Sequence, residues 1–234
     1  MIKSIKLYGD QAILINFEQK IDPAINAAVI ALKNAIEAAT ISGITFMIPA
    51  YCSLTIGYNP AVIEYEILVK VIKQIAANAL DTNDSNPNQQ KVRQLKIPVC
   101  YELPYALDLK ELSETKNLPT EEIISIHTSQ TYKVYMLGFM PGFVFMGKIV
   151  SKLECNRKVT PRLRVPASSV GIAGFQTGIY PTASPGGWQI LGRTPLKIFN
   201  PQKENPFLFQ AGDEVTFYSI TTDEFIKIEK EDNQ

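Results

Sequence analysis

Few side chains in this sequence could carry chemistry. One histidine, His127, stands among 234 residues, so any site built on paired imidazoles is excluded. Cys52, Cys100 and Cys155 are too scattered to supply a Cys-x-x-Cys thiolate pair, and no metal site is expected. With an ordinary pKa near neutrality, His127 has the proton affinity of a general base. It falls late in an expected helix, where a histidine also serves by meeting terminal carbonyls, and no Gly-x-Ser-x-Gly nucleophile turn accompanies it. Both roles stay open.

Between Lys148 and Arg164, six basic residues (Lys148, Lys152, Arg157, Lys158, Arg162, Arg164) face one acid, Glu154. That field favours an anionic ligand or an acidic partner surface, although a solvated loop has the same composition. Arg162 and Arg164 lie between Pro161 and Pro166, which restrict the backbone, and a fixed guanidinium clamps a carboxylate or phosphate through two parallel hydrogen bonds. Residues 142–148 fit the first seven positions of a phosphate-binding loop, but Ile149 stands where a Mg²⁺-binding hydroxyl belongs, and Phe, Val, Phe and Met separate the glycines. So bulky an apolar run predicts a buried strand instead. Residues 184–194 hold the only tryptophan, Trp188, beside Gly186, Gly187, Gly192 and Arg193. Glycines there either let a ligand approach the backbone or form a barrel corner that Trp188 fills.

The elements that must position these residues divide at 81–91. That stretch, DTNDSNPNQQK, has no aliphatic or aromatic side chain and predicts a linker between a domain at 1–85 and another at 92–234. In the first half a strand is expected over 11–17. A helix follows, with Asp22 as cap, Pro23 at its first position, and Ile25, Val29, Leu32 and Ile36 on one face. Two strands at 44–48 and 53–58 come next, then a helix opening at Pro60 with Leu68, Val71, Ile72 and Ile75 inward, then a strand at 95–100. The order β-α-β-β-α-β is the ferredoxin-like split βαβ pattern of an α+β domain. Beyond the linker, short β-rich segments at 132–139, 168–173, 189–191, 196–199 and 214–220 are punctuated by Gly and Pro, with helices only at 108–114 and 119–128. This reads as a mainly-β barrel or sandwich.

Composition removes whole classes of function. The 23 basic residues balance 23 acidic ones, which argues against a nucleic-acid binder. A 46% hydrophobic share excludes wholesale disorder. No apolar stretch approaches the roughly 20 residues that span a bilayer, and the first ten residues lack the apolar core of a signal peptide. With an odd number of scattered cysteines, the chain is expected to be cytoplasmic with reduced thiols.

Four ordered blocks carry a resemblance: Gly138-Phe-Met-Pro-Gly-Phe143; Pro161-Arg162 with residues 165–174; Gln176-Thr-Gly-Ile-Tyr-Pro181; and Ser184-Pro-Gly-Gly-Trp188 through Gly192-Arg-Thr-Pro195. Together with Gly9-Asp10 and Pro49-Ala-Tyr51, they resemble the family that contains the kinase inhibitor KipI, the 5-oxoprolinase subunit PxpB and allophanate hydrolase subunit 1. The resemblance implies a cyclophilin-like β-barrel as the carboxy-terminal domain. It also implies a non-autonomous subunit of an ATP-dependent 5-oxoprolinase, which opens 5-oxo-L-proline to L-glutamate. The partners would be a companion cyclophilin-like subunit (PxpC-like) and a third subunit (PxpA-like). ATP would be used by the complex rather than bound by this chain alone; phosphorylating the lactam carbonyl oxygen would ease cleavage of a stabilised amide. The alternative is a KipI-like inhibitor of a sensor histidine kinase.

On this reading the barrel carries function through a groove. Phe139, Pro141, Gly142, Phe143, Tyr180, Gly186, Gly187 and Trp188 would form an apolar wall, Arg162, Arg164 and Arg193 would meet anionic groups, and Gln176 would hydrogen-bond an amide. His127 matches a histidine that the family keeps before its Tyr-x-Val strand, here Tyr132-Lys-Val134. The chain departs from the family at 101–107, where members carry a glycine-rich turn ending in Gly-Pro before the Asp-Leu that here is Asp108-Leu109.

Overall fold

The computed structural model describes residues 2–80 and 92–232, which fall into two units lying within 1–91 and 92–234. The expected linker, 81–91, lies outside the described residues. The first unit runs β1 (Ser4–Leu7), β2 (Ala12–Asn16), α1 (Pro23–Ala38), β3 (Ile44–Pro49), β4 (Ser53–Tyr58) and α2 (Tyr65–Leu80). Its antiparallel sheet has the order β1-β2-β4-β3. Helix α1 starts where its sequence dictates, because the Asp22 carboxylate accepts the Ala24 N–H at 2.8 Å and Pro23 needs no donor at the first position. Val29, Leu32 and Ile36 of α1 join Leu68 and Ile72 of α2 over Ile13, Ile15, Leu54 and Ile56 of the sheet in one buried core.

Two expectations are corrected here. Helix α2 begins at Tyr65 rather than Pro60, because Asn59 first folds a turn: its side chain accepts from Ala61 N–H, and its carbonyl from Val62 and Ile63. The strand expected to close a β-α-β-β-α-β sheet is absent from this sheet. The edge beside β2 is taken by β1, which reaches its partner through a short turn with Gly9 at φ +68°, a far smaller loop to close.

The second unit contains β5 (Gln94–Cys100), α3 (Leu109–Lys116), α4 (Thr120–Thr128), β6 (Thr131–Leu137) and β7 (Val144–Gly147). It continues with β8 (Arg162–Val165), β9 (Ser169–Ala173), β10 (Gln176–Ile179), β11 (Ser184–Gly186), β12 (Gln189–Arg193), β13 (Glu214–Ile220) and α5 (Thr222–Asp232). Seven strands close into a barrel in the order β10-β7-β6-β13-β5-β12-β9, while β8 and β11 pair as a separate ribbon. Strand β5, the one expected in the first sheet, runs parallel to β13 from Gln94↔Glu214 to Cys100↔Ile220. Val99, Val134, Val144, Met146, Ile172 and Val215 are all buried in its core. The barrel is therefore a packed interior and not a channel, and ligand-facing groups must sit on its rim or outside.

Residues 196–199, expected as a strand, make only one isolated bridge, Phe199↔Phe207. Their polar groups are met outside any ladder instead: Leu196 N–H donates to Thr194 Oγ1, the Leu196 carbonyl accepts from Ser168 Oγ at 3.0 Å, and Lys197 N–H donates to the Asp232 carboxylate at 2.7 Å. No helix among the described residues is long and apolar enough to cross a membrane.

Candidate functional site

His127 lies in α4 with its ring wholly buried in the barrel unit, stacked on Phe217 at 4.7 Å between ring centroids. Thr177 Oγ1 gives its one proton to the Gly171 carbonyl at 3.2 Å, so at 3.0 Å it can only accept from His127 Nε2. That assigns the Nε2–H tautomer, and Nδ1 then accepts from Tyr101 Oη at 2.8 Å. Burial pushes the imidazole pKa down to about 3. A neutral ring with both nitrogens engaged inside the core has no face to offer a reacting group, which favours the structural of the two roles left open for His127.

The strongest electrostatic feature is a carboxylate that the sequence does not single out. Asp108, just before α3, is fully buried. Arg162 grips it with both guanidinium nitrogens, Nη1 to Oδ2 at 2.9 Å and Nη2 to Oδ1. Lys158 Nζ adds a contact at 3.0 Å to Oδ1 and another at 2.8 Å to Glu111, and the Ile190 N–H donates to Oδ2 at 2.7 Å. Burial alone would raise the Asp108 pKa, but the hydrogen bonds from Arg162, Ile190 and Lys158 outweigh it and hold the carboxyl below its usual range. The node ties α3, β8 and β12 together. It also corrects the expectation that Arg162 meets an outside anion, since its partner is internal.

Arg193 is likewise engaged within the chain. Its Nε donates to the Ala167 carbonyl at 2.8 Å, its Nη2 pairs with Glu229 at 3.5 Å, and its guanidinium lies over the Phe225 ring. Arg164 is exposed and forms no hydrogen bond or ion pair among the described residues. Gln176 opens β10 opposite Gly147 on one side and Ala173, a member of the aromatic cluster, on the other, roughly 13 Å along the strand from Tyr180.

The expected apolar wall does assemble. Phe143 is buried at the centre, edge-on to Tyr180 at 4.8 Å and Trp188 at 5.4 Å, with Val165 and Ile190 completing the cluster. Gly186 has no room for a Cβ, which would overlap the Tyr180 hydroxyl, and Gly187 accepts the Lys158 N–H at 2.7 Å. The turn between β6 and β7 lifts Phe139, at φ +68° and 74% exposed, edge-on against Phe143. Beside it Pro141 is exposed, while Gly142, at φ +84°, packs on Phe199. The phosphate-loop-like run is the buried strand β7, with Val144 and Met146 in the core, so it forms no cradle for the phosphates of ATP.

One cleft of about 670 Å³ opens between α3 and the loop 154–160, with Gln189 at its side. Cys155 lines it, and burial pushes that thiol up to about 11. No cluster of His, Cys, Asp or Glu among the described residues could hold a metal ion.

Residues 3–209 match the family described as carboxyltransferase domain, subdomain C and D. The chain is 38% identical over 239 residues to a 5-oxoprolinase subunit of Bacillus subtilis, covering 98% of each protein. Among solved structures it resembles TTHA0988 with a TM-score of 0.78 and 34% identity; the match covers 90% of this chain but only 40% of that one. The urea amidolyase of K. lactis shares the fold at a TM-score of 0.75 and 22% identity, over 98% of this chain and 15% of that protein.

Proposed function

Since the chain belongs to the carboxyltransferase domain subdomain C and D family, we propose that it is a subunit of an ATP-dependent 5-oxoprolinase that converts 5-oxo-L-proline to L-glutamate. The observation that carries this reading is the match to the 5-oxoprolinase subunit of Bacillus subtilis, which runs over 98% of both proteins. We read the closed barrel as cyclophilin-like, and the first unit as a split βαβ arrangement in which a strand from the amino terminus takes the edge position.

The chain acts with a companion cyclophilin-like subunit and a third subunit. Three features support a non-autonomous role. The barrel is filled, its only histidine is neutral and enclosed, and its phosphate-loop-like run is a core strand. ATP would supply the driving force for opening the lactam, held by residues outside that run. Phe139, 74% exposed and backed by the buried cluster of Phe143, Tyr180 and Trp188, gives the companion a protruding apolar contact. Free thiols at Cys52, Cys100 and Cys155 fit work in the cytoplasm.

The test is ATP- and 5-oxoproline-dependent glutamate release by the purified chain, alone and with the two companions. Release only from the full mixture is expected. No release in any mixture, with companions that are active beside the Bacillus subtilis protein, would sink the reading. Phe139 would serve equally as a contact for a helical kinase surface, so inhibition of sensor-kinase autophosphorylation by the same preparation tests the alternative.

A further inference from the structure

The cations around the cleft between α3 and the loop 154–160 are not equivalent. Lys158 is engaged by Asp108 and Glu111, and Lys116 donates to the Glu154 carbonyl. Arg157 is exposed beside Gly187 and, among the described residues, forms no hydrogen bond or ion pair; its charge favours ionisation of the Tyr180 hydroxyl. The lining contains three cations against two carboxylates, Glu111 and Glu154. That balance, one net positive charge, matches a ligand with a single negative charge and leaves most of the charge of a nucleoside triphosphate uncompensated. The planar fork of a guanidinium matches a carboxylate. Asn156 and Thr160, exposed polar residues whose side chains have no protein partner among the described residues, also line the cleft and can supply hydrogen bonds to an amide. The cleft volume of about 670 Å³ lies within the range of small-molecule sites.

We propose that this cleft binds the carboxylate of a small lactam acid, with Arg157 donating the two hydrogen bonds that hold it. The assignment rests on the 5-oxoprolinase reading for the identity of the acid, which would be 5-oxoproline. The Asp108 node then has a positioning role, since by fixing Lys158, the next residue, and Arg162 further on it holds the loop that presents Arg157.

The decisive experiment uses the reconstituted three-subunit enzyme with Arg157→Ala and Arg157→Lys. Loss of a charged, paired contact predicts a rise in KM for 5-oxoproline of about tenfold or more in Arg157→Ala, with KM for ATP unchanged, the melting temperature held, and Arg157→Lys intermediate. A KM for 5-oxoproline that stays within about twofold of wild type, or a rise confined to ATP, would overturn the carboxylate assignment. Failure of the functional reading is separable. If wild-type subunits release no glutamate, NMR titration of the free chain decides, using 5-oxoproline, ATP and the carboxamide of 5-oxoproline as probes. Shifts at Arg157, Asn156 and Thr160 with the acid but not the carboxamide support the site; no shifts, or equal shifts with both, refute it.

Discussion

Replacing Arg162 by alanine separates a ligand-binding arginine from a structural one. The side chain is 26% exposed, while the carboxylate it grips is fully buried. Removing one partner of a buried pair typically costs about 3–5 kcal/mol, because a charge is left uncompensated. Here Lys158 Nζ at 3.0 Å and the Ile190 N–H at 2.7 Å stay on Asp108, so the loss belongs at the lower end, about 3 kcal/mol. For a unit of this size that lowers the melting temperature by about 10 °C. Arg164→Ala, two residues on and without a partner among the described residues, should stay within about 0.5 kcal/mol and serves as the control. The pH dependence carries a sign. A carboxyl held lower in the folded chain than in the unfolded one adds stability above its unfolded pKa, near 3.9, and loses it as pH falls through the folded value. The gap between wild type and Arg162→Ala should therefore be full at neutral pH and close below about pH 4. Calorimetry across that range checks both points. Equal melting temperatures for the two arginine variants at pH 7 would refute the argument.

His127 is the only histidine, so its imidazole nitrogens are unambiguous by NMR; they should report a neutral Nε2–H ring at pH 5. Because its folded pKa, about 3, lies below the ordinary 6.5, stability should fall by up to about 1.4 kcal/mol per pH unit as pH drops below 6.5. Urea titration at pH 7 and pH 5 should show that slope flattened in His127→Gln, and an equal slope would count against a buried neutral ring. At Gly178 an added Cβ would stand 2.6 Å from the Val144 carbonyl oxygen and 3.0 Å from Trp188, so Gly178→Ala should destabilise by about 1–3 kcal/mol. The single tryptophan provides the readout, with a red shift of Trp188 emission expected and an unchanged spectrum and melt contradicting it.

Helix α1 is legible in the sequence because everything that makes it is local, from the Asp22 cap and Pro23 to the spacing of Val29, Leu32 and Ile36. Strand β5 is legible as a strand and not as a neighbour. Its apolar run reports burial, but its choice of β13 depends on a parallel pairing with residues 214–220, for which nothing near 95–100 speaks. Strands β8, β10 and β11 are three or four residues long, too short for alternation to emerge from the sequence. The aromatic wall can be read because its residues are bulky and set among glycines.

Asp108 is hidden in the sequence for a physical reason. An acid at the start of a helix is already explained as a cap. In the structure it makes no side-chain cap bond and turns instead toward Arg162, Lys158 and Ile190, all more than forty positions away. The basic run from Lys148 to Arg164 is undecidable for the complementary reason: composition sets the sign of a field, while availability depends on whether an acid already stands within reach. Lys152 has Glu122, Lys158 has Asp108 and Glu111, Arg162 has Asp108, and Lys148 lies over the Phe175 ring. Among the described residues Arg157 and Arg164 have none of these, and of the two only Arg157 lines the cleft. A cation already neutralised inside a fold gains little from an outside anion, since binding must first break the internal pair. The arginine that recognises a ligand should therefore be the one the fold leaves unmatched, and in this chain that reasoning moves the expected anion contact from Arg162 to Arg157.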